Sequence, residues 1–249
     1  MKRLLFVAAA FVLSVVAASA DVTVTMTVSG AAAQTAISGT TTTWAKGTKL
    51  RVDTEMSGQS LTILSDSATK QQWKIDHTTK QIEPFDPNTA MAALPVSLGD
   101  VKAVVTPNGQ TKEILGRQCQ GYTIEVTMPM TLAGEAMVMK MSGPAWIAKD
   151  GAGVAELKAG QKAFSDLGMS TSLLAQGPQA KGMAELNKVL GEAGVVMEQE
   201  NQMTIEGTGQ MAQMMSQMGG MTFTTKVTAI TVDPIPDSKF ALPEGYTKK

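Results

Sequence analysis

The segment from Trp44 to Asp86 narrows the choice of folds more than any other part of the chain. It alternates apolar and polar residues in several short runs joined by polar turns. Alternation with a period of two belongs to strands that keep one face wet. Leu50 and Val52 point one way, while Lys49, Arg51, Asp53 and Glu55 point the other. Leu61 and Ile63 continue the apolar side, and Trp73 and Ile75 are expected to join it, leaving Lys74 and Asp76 in water. The polar turn Asp76-His77-Thr78-Thr79 sends the chain back through Lys80 to Phe85. Turns this short join antiparallel neighbours. The segment therefore predicts a meander forming one curved antiparallel sheet with one apolar face.

The same pattern extends beyond it. Val22, Val24, Met26 and Val28 alternate with Thr23, Thr25, Thr27 and Ser29, and a softer Ala/Thr-rich strand covers about Gln34 to Trp44. Asp86-Pro87-Asn88 breaks the meander and opens a short helix ending near Leu94. Strands are expected at Val101 to Val105, at Tyr122 to Met128 and around Met137, Met139 and Met141. The last of these resumes at Trp146-Ile147-Ala148 after a Gly143-Pro144 break. Tyr122, Ile124, Val126 and Met128 share one face. Between Gly153 and Gly194 the period becomes helical, with Val154, Leu157, Phe164 and Leu167 in one helix and Met183, Leu186 and Leu190 in another, parted by Gly177-Pro178. Strands return at Val195 to Ile205 and Met221 to Val232. Strands, a helical insertion at 153–194 and closing strands make an α+β chain with its sheet segregated from its helices.

Residues 1–20 read as an export leader: Lys2 and Arg3, an apolar run from Leu4 to Ala18, and the cleavage pattern Ala18-Ser19-Ala20. The run is too short and wrongly flanked for a comfortable membrane span, an uncleaved anchor being the alternative. Cleavage leaves 21–249 as a single domain, periplasmic or secreted, with no stable membrane span. The leader takes two of the 21 basic residues and none of the 22 acidic ones, so the remainder carries a net charge of −3. That balance argues against a nucleic-acid partner, which needs a basic face. The one cysteine, Cys119, has no partner within the chain and reads as a packed thiol at a strand entrance.

Chemistry is sparse. His77, the single histidine, falls in a polar turn and reads as solvated. One histidine and one cysteine cannot make a zinc set, and no glycine-rich phosphate loop opens a helix. The pairs Asp53/Glu55 and Glu198/Glu200 each share a strand face, where Asp53 and Glu55 are expected to be solvated charge beside Arg51. No catalytic residue and no cofactor is assigned. The chain is, however, rich in methionine, with 18 against three Trp, two Tyr and six Phe. Met211, Met214, Met215 and Met218 recur at i, i+3, i+4 and i+7, on one face of a helix expected over 208–219, which Thr208 would cap and Gly219-Gly220 would end. Three roles remain open for that face: a plug packed on the sheet, a lid over an apolar cavity, or a soft-metal site for Cu(I).

Some of these residues also carry a family resemblance. The strand ending Trp44-Ala45-Lys46-Gly47, then Lys49-Leu50-Arg51, Leu61-Thr62-Ile63-Leu64-Ser65-Asp66, a turn into Trp73, and Ile75-Asp76 with Lys80-Gln81 resemble the LolA-type outer-membrane lipoprotein carriers of the LolA/LolB/LppX superfamily. Asp237-Ser238-Lys239-Phe240 and Leu242-Pro243-Glu244-Gly245-Tyr246 resemble that family's carboxyl end. Gly116, Cys119, Tyr122 and Ala145-Trp146-Ile147-Ala148-Lys149-Asp150 are more similar to a related exported family known only as a domain of unknown function. The resemblance implies an incomplete antiparallel β-barrel wrapped over helices, with an apolar cavity that receives acyl chains. The chain departs from the carriers in starting at the strand of Val22 without a preceding helix, and in having Gly47 where they place an arginine in the hairpin. The scaffold is therefore implied more strongly than the transfer cycle.

Together these readings predict a non-enzymatic periplasmic binder of a lipid, a lipoprotein acyl chain or another apolar ligand. Its face would be lined by Leu50, Val52, Leu61, Ile63, Trp73, Ile75, Tyr122, Ile124 and Val126, with Met211, Met214, Met215 and Met218 as the lid. Two alternatives remain: Cu(I) held by those same four methionines, and a structural protein with an envelope partner, whose apolar chains pack on helices and leave no cavity.

Overall fold

The computed structural model describes residues 21–32, 35–85, 96–132, 134–158, 190–217 and 220–249. The expected leader, the helix after Asp86-Pro87, Met218 and most of the 153–194 insertion lie outside them. Within the insertion, 154–158 and 190–193 are helical. Among the described residues the architecture is mostly a large, curved, unclosed antiparallel sheet with few helices.

The strands are β1 (Val22–Ala32), β2 (Thr35–Lys46), β3 (Lys49–Met56), β4 (Gln59–Asp66), β5 (Gln71–Asp76), β6 (Gln81–Pro84), β7 (Val96–Leu98), β8 (Lys102–Ile114), β9 (Arg117–Leu132), β10 (Glu135–Ala148), β11 (Val195–Gly207), β12 (Met221–Thr231) and β13 (Thr247–Lys248). A helix, α1 (Gln210–Gln217), joins β11 to β12. In space the order runs β13-β6-β5-β4-β3-β2-β1-β12-β11-β10-β9, and β7 and β8 both pair with the far side of β9. Sequence-distant β1 and β12 therefore meet in the middle, joining two meanders into one sheet. Only the short edge pair β13–β6 is parallel.

Local turn chemistry explains the meanders. Ser57-Gly58 and Leu115-Gly116 form two-residue loops in which both residues have positive φ. That geometry matches the twist of the flanking strands. The loops 67–70 and 77–80 repeat one device: Asp66 Oδ1 accepts from the backbone N–H of Ala68, and Asp76 Oδ1 from those of Thr78 and Thr79. Each loop ends on a lysine of positive φ, Lys70 or Lys80.

β10 continues through Gly143-Pro144, where the sequence predicts a break. Proline has no N–H to give the ladder. The structure places Pro144 opposite Thr123 of β9, while direct pairing with β11 lapses between Ser142–Gln202 and Ala145–Gln199. Gly143 allows the two backbones to approach closely there, since a Cβ would collide with the Glu200 carbonyl.

Register assigns every side chain to one of two faces. On the front face, Val22, Val24, Met26 and Val28 of β1 lie in line with Leu50 and Val52 on one side and with Val227 and Phe223 on the other. That line reaches Ala145, Tyr122, Ile124 and Val126 through β11. On the back face, Leu64, Ile75 and Ile82 are covered by Phe240, Leu242 and Tyr246 of the carboxyl-terminal segment. The mutual pairing of β11 and β12 stops at Glu198–Lys226. Beyond it β11 stays with β10 and β12 with β1, and Val154 and Leu157 of the helical turn 154–158 share a core cluster with residues of both strand ends.

Gly143→Ala is expected to cost about 1–3 kcal/mol, the usual range for overpacking. Urea denaturation of the variant checks this, and an unchanged midpoint contradicts the close approach.

Candidate functional site

The ladder brings seven of the nine sequence-chosen lining residues to the front face. Val52 faces Ile63 directly, Leu50 and Leu61 flank that pair, and Tyr122, Ile124 and Val126 stand on the same face in the other half of the sheet. Leu50, Tyr122, Ile124 and Val126 are buried, and Val52, Leu61 and Ile63 are half-buried.

Trp73 and Ile75 do not join them. Ile63 pairs with Lys74, so Trp73 lies opposite Leu64 and Ile75 opposite Thr62, all on the back. The four-residue loop sets this register, and a shift of one residue exchanges the faces of a whole strand. The run Leu61-Thr62-Ile63-Leu64 carries apolar residues at both parities, so periodicity alone favours neither register. Lys74 therefore stands on the front face, tied to Glu83 at 2.7 Å.

The same register overturns the expectation that Arg51 and Asp53 face water beside Glu55. Arg51 Nε donates to Asp53 Oδ1 at 2.7 Å, and its Nη1 donates to the Lys239 carbonyl at 2.9 Å. The Trp44 ring lies 5.8 Å from the Arg51 guanidinium and 4.1 Å from Lys239 Nζ. Thr62 donates its hydroxyl proton to Asp53 Oδ1 at 2.6 Å, so its oxygen accepts from His77 Nε2 at 2.8 Å. His77 Nδ1 meets the Tyr246 hydroxyl at 2.9 Å. The expected solvated histidine is thus a half-buried link between β4 and the carboxyl-terminal segment. Asp76 and His77 divide the work of one turn: the backbone N–H of Thr79 holds the Asp76 carboxyl below the usual carboxylate range, while the His77 ring turns inward.

A second anchor fastens the same segment to the start of the sheet. Lys46 Nζ donates to the Ile235 carbonyl at 2.6 Å and lies 3.2 Å from Asp237, and Asp21 Oδ2 accepts from the Ile235 N–H at 2.6 Å. The hydrogen bond from Lys46, with its charge and that of Lys49, lowers the Asp237 carboxyl below its ordinary range. Lys46-Gly47, where the carriers place an arginine, is here an anchor for the tail beside a glycine of φ +54°.

Glu198 departs furthest from a solvated carboxylate. Its side chain is 7% exposed where β11 and β12 part, paired with Lys112 and 3.5 Å from Lys226 Nζ. Burial pushes its pKa up, but the Lys112 hydrogen bond and the charges of Lys112 and Lys226 outweigh this and leave it below the ordinary value. Lys112 Nζ also stands 5.4 Å from the Trp146 ring. Glu200, two residues beyond Glu198, is exposed. Cys119 is buried, as its packed-thiol reading requires, and burial pushes its pKa up.

The methionine helix begins at Gln210, with Gln213 N–H donating to the Gly209 carbonyl, so Gly209 rather than Thr208 precedes its first turn. It sits on the sheet through Ala212, which is buried, while Met214 is 54% exposed. Two residues turn a helix by about 200°, so these side chains lie on nearly opposite sides. Met214 is therefore not part of a packed plug. The side chains of Met211 and Met215, and Met218 altogether, lie outside the described residues.

No family model matches the sequence, and no curated protein matches it. Solved structures similar to this chain include a DUF1329 family protein from Desulfovibrio piger, with 8% identity, 89% of each chain covered and a TM-score of 0.31. Another is a domain from Vibrio parahaemolyticus described as an outer membrane lipoprotein-sorting protein domain, with 7% identity, 89% of each chain covered and a TM-score of 0.31. No helix among the described residues is long and apolar enough to cross a membrane.

Glu198→Gln is expected to lower stability at neutral pH by about 1–3 kcal/mol, the range for breaking a buried charged hydrogen bond. Glu198's folded pKa is depressed, so its contribution is present above the unfolded value, about 4.3, and is lost as pH falls through the folded value. The gap between wild type and variant should therefore narrow below about pH 4. Urea melts across pH measure it, and a gap that is constant with pH contradicts the assignment.

Proposed function

We propose that this protein is a non-enzymatic binding protein of the bacterial envelope that holds a lipid acyl chain or a comparable apolar ligand against the front face of its open sheet. The observation that carries this reading is the register. Leu50, Val52, Leu61 and Ile63 from one meander and Tyr122, Ile124 and Val126 from the other share one face, as two apolar patches separated by Thr41 and Thr43 of β2 and by Gln199 and Asn201 of β11. β1 bridges the two sets with Val24, Met26 and Val28, and half-buried Val52, Ile63, Met139 and Met141 leave apolar surface for a guest. Each acyl CH₂ removed from water contributes about 0.8 kcal/mol, so affinity needs no charged clamp. The leader pattern of residues 1–20 supports a periplasmic location. On the back face the carboxyl-terminal segment already covers Leu64, Ile75 and Ile82, which favours the front as the side that receives a ligand.

Native mass spectrometry of protein purified from a bacterial periplasm, together with titration of a fluorescent fatty acid, tests the reading. Co-purifying lipid and saturable binding displaced by unlabelled fatty acid are expected. Ile63→Asp, which sets a charge on the front face, should weaken binding by about tenfold or more, while Trp73→Phe on the back leaves it unchanged. Absence of lipid and of fatty-acid binding in the wild type rejects the carrier reading in favour of a structural envelope protein.

A further inference from the structure

We propose that the methionine-rich corner of the front face, where α1 lies over β10 and β11, is a binding site for a soft monovalent cation, Cu(I). The sequence draws attention to the helical methionines, but the ladder assembles a second set from four different strands. Met141 of β10, Met203 of β11 and Met221 of β12 occupy successive register positions in one row across the sheet. In the adjoining rows Met139 pairs with Met128 and Met137 with Met130 of β9. All seven side chains point to the front. Met128 and Met137 are buried, whereas Met130, Met139, Met141, Met203 and Met221 are half-buried and open to an entering ion.

Helix α1 lies on this same face. Met137 pairs with Gly207, and a Cβ at Gly207 would strike the Cβ of Ala212, so the missing side chain of Gly207 is what seats the helix there. Exposed Met214 belongs to that helix. Thioethers from the sheet thus lie beneath a helix that is itself rich in methionine.

The chemistry of the donors selects the metal. Thioether sulfur is neutral and polarizable, so it prefers Cu(I) to hard cations and needs no deprotonation. Cross-strand neighbours hold their Cβ atoms about 4.5–5.5 Å apart, and the unbranched methionine side chain is flexible enough to bring three Sδ atoms of one row onto one ion. Among the described residues no group of three His, Cys, Asp or Glu side chains offers a competing site for Zn(II) or another harder ion. Met139 and Met141 also belong to the apolar surface of the acyl-chain reading, but Met203 and Met221 do not, and Cu(I) and fatty-acid binding are measured separately, so either reading can fail without the other.

The test is anaerobic titration of the mature protein with Cu(I), kept reduced by ascorbate, against a chromogenic Cu(I) chelator. One competing equivalent is expected, with no binding of Zn(II). Met141→Leu/Met203→Leu/Met221→Leu nearly conserves volume, so it should fold, as far-UV circular dichroism will check. It should lose more than about tenfold in affinity, while Met214→Leu retains the wild-type value. A wild type that never competes for Cu(I), or a folded triple variant that binds as tightly as wild type, overturns the proposal. So does a loss confined to Met214→Leu.

Discussion

The backbone ladder is the constraint from which the rest of the structure follows. From β6 to β9 each strand is hydrogen-bonded to the next, so the face of one side chain fixes the faces of its neighbours in every strand. The β1–β12 pair carries this rule across the middle of the sheet and brings two sequence-distant meanders into one surface. A front that carries apolar patches from both meanders and a separately covered back are consequences of that pairing. Neither meander contains both halves of the front face.

An open sheet must manage its back face and its edges. The carboxyl-terminal segment serves both needs at one end. Phe240, Leu242 and Tyr246 cover the apolar back of β4–β6, and β13 pairs with the edge of β6. The segment is held at separate points by Lys46, Asp21, Arg51 and His77. Several polar residues that look solvated in the sequence are thus structural fasteners. At the other edge, β8 carries Pro107 and a register shift between Pro107 and Thr111, features that blunt pairing with another chain. Where β11 and β12 part, the wedge of Val154 and Leu157 fills the opening, and Glu198 is held at its start by two lysines. A buried carboxylate is tolerable there because two charges neutralise it, Lys226 from the adjoining β12 and Lys112 from β8.

Much of the fold was legible because strand alternation and turn chemistry are local. The strands of the meander, the helical spacing of Val154 and Leu157, and the burial of Cys119 all follow from short-range patterns. The break expected at Gly143-Pro144 did not occur, because the donor that proline lacks falls where direct pairing with β11 already lapses. Alternation puts Trp73 and Ile75 on the wrong face because the Leu61–Leu64 run is apolar at both parities. His77 and Asp53 read as solvated, and the buried role of Glu198 goes unread, for a related reason. Their partners Tyr246, Arg51 with the Lys239 carbonyl, and Lys112 belong to other strands or to the distant tail. The row Met141–Met203–Met221 is equally invisible, since its members lie on three strands and the repeat of Met137, Met139 and Met141 contains only one of them.

The sequence by itself determined what each strand is made of: where it turns, which of its residues alternate, and that few groups are available for acid–base chemistry. These are properties of neighbouring residues, and a period of two or a turn aspartate is visible without a partner. Only the tertiary structure decided which apolar sets combine into one face, which face the tail covers, and which methionines meet. Those outcomes depend on inter-strand register, and a displacement of one residue along a ladder reverses them while leaving the sequence pattern unchanged.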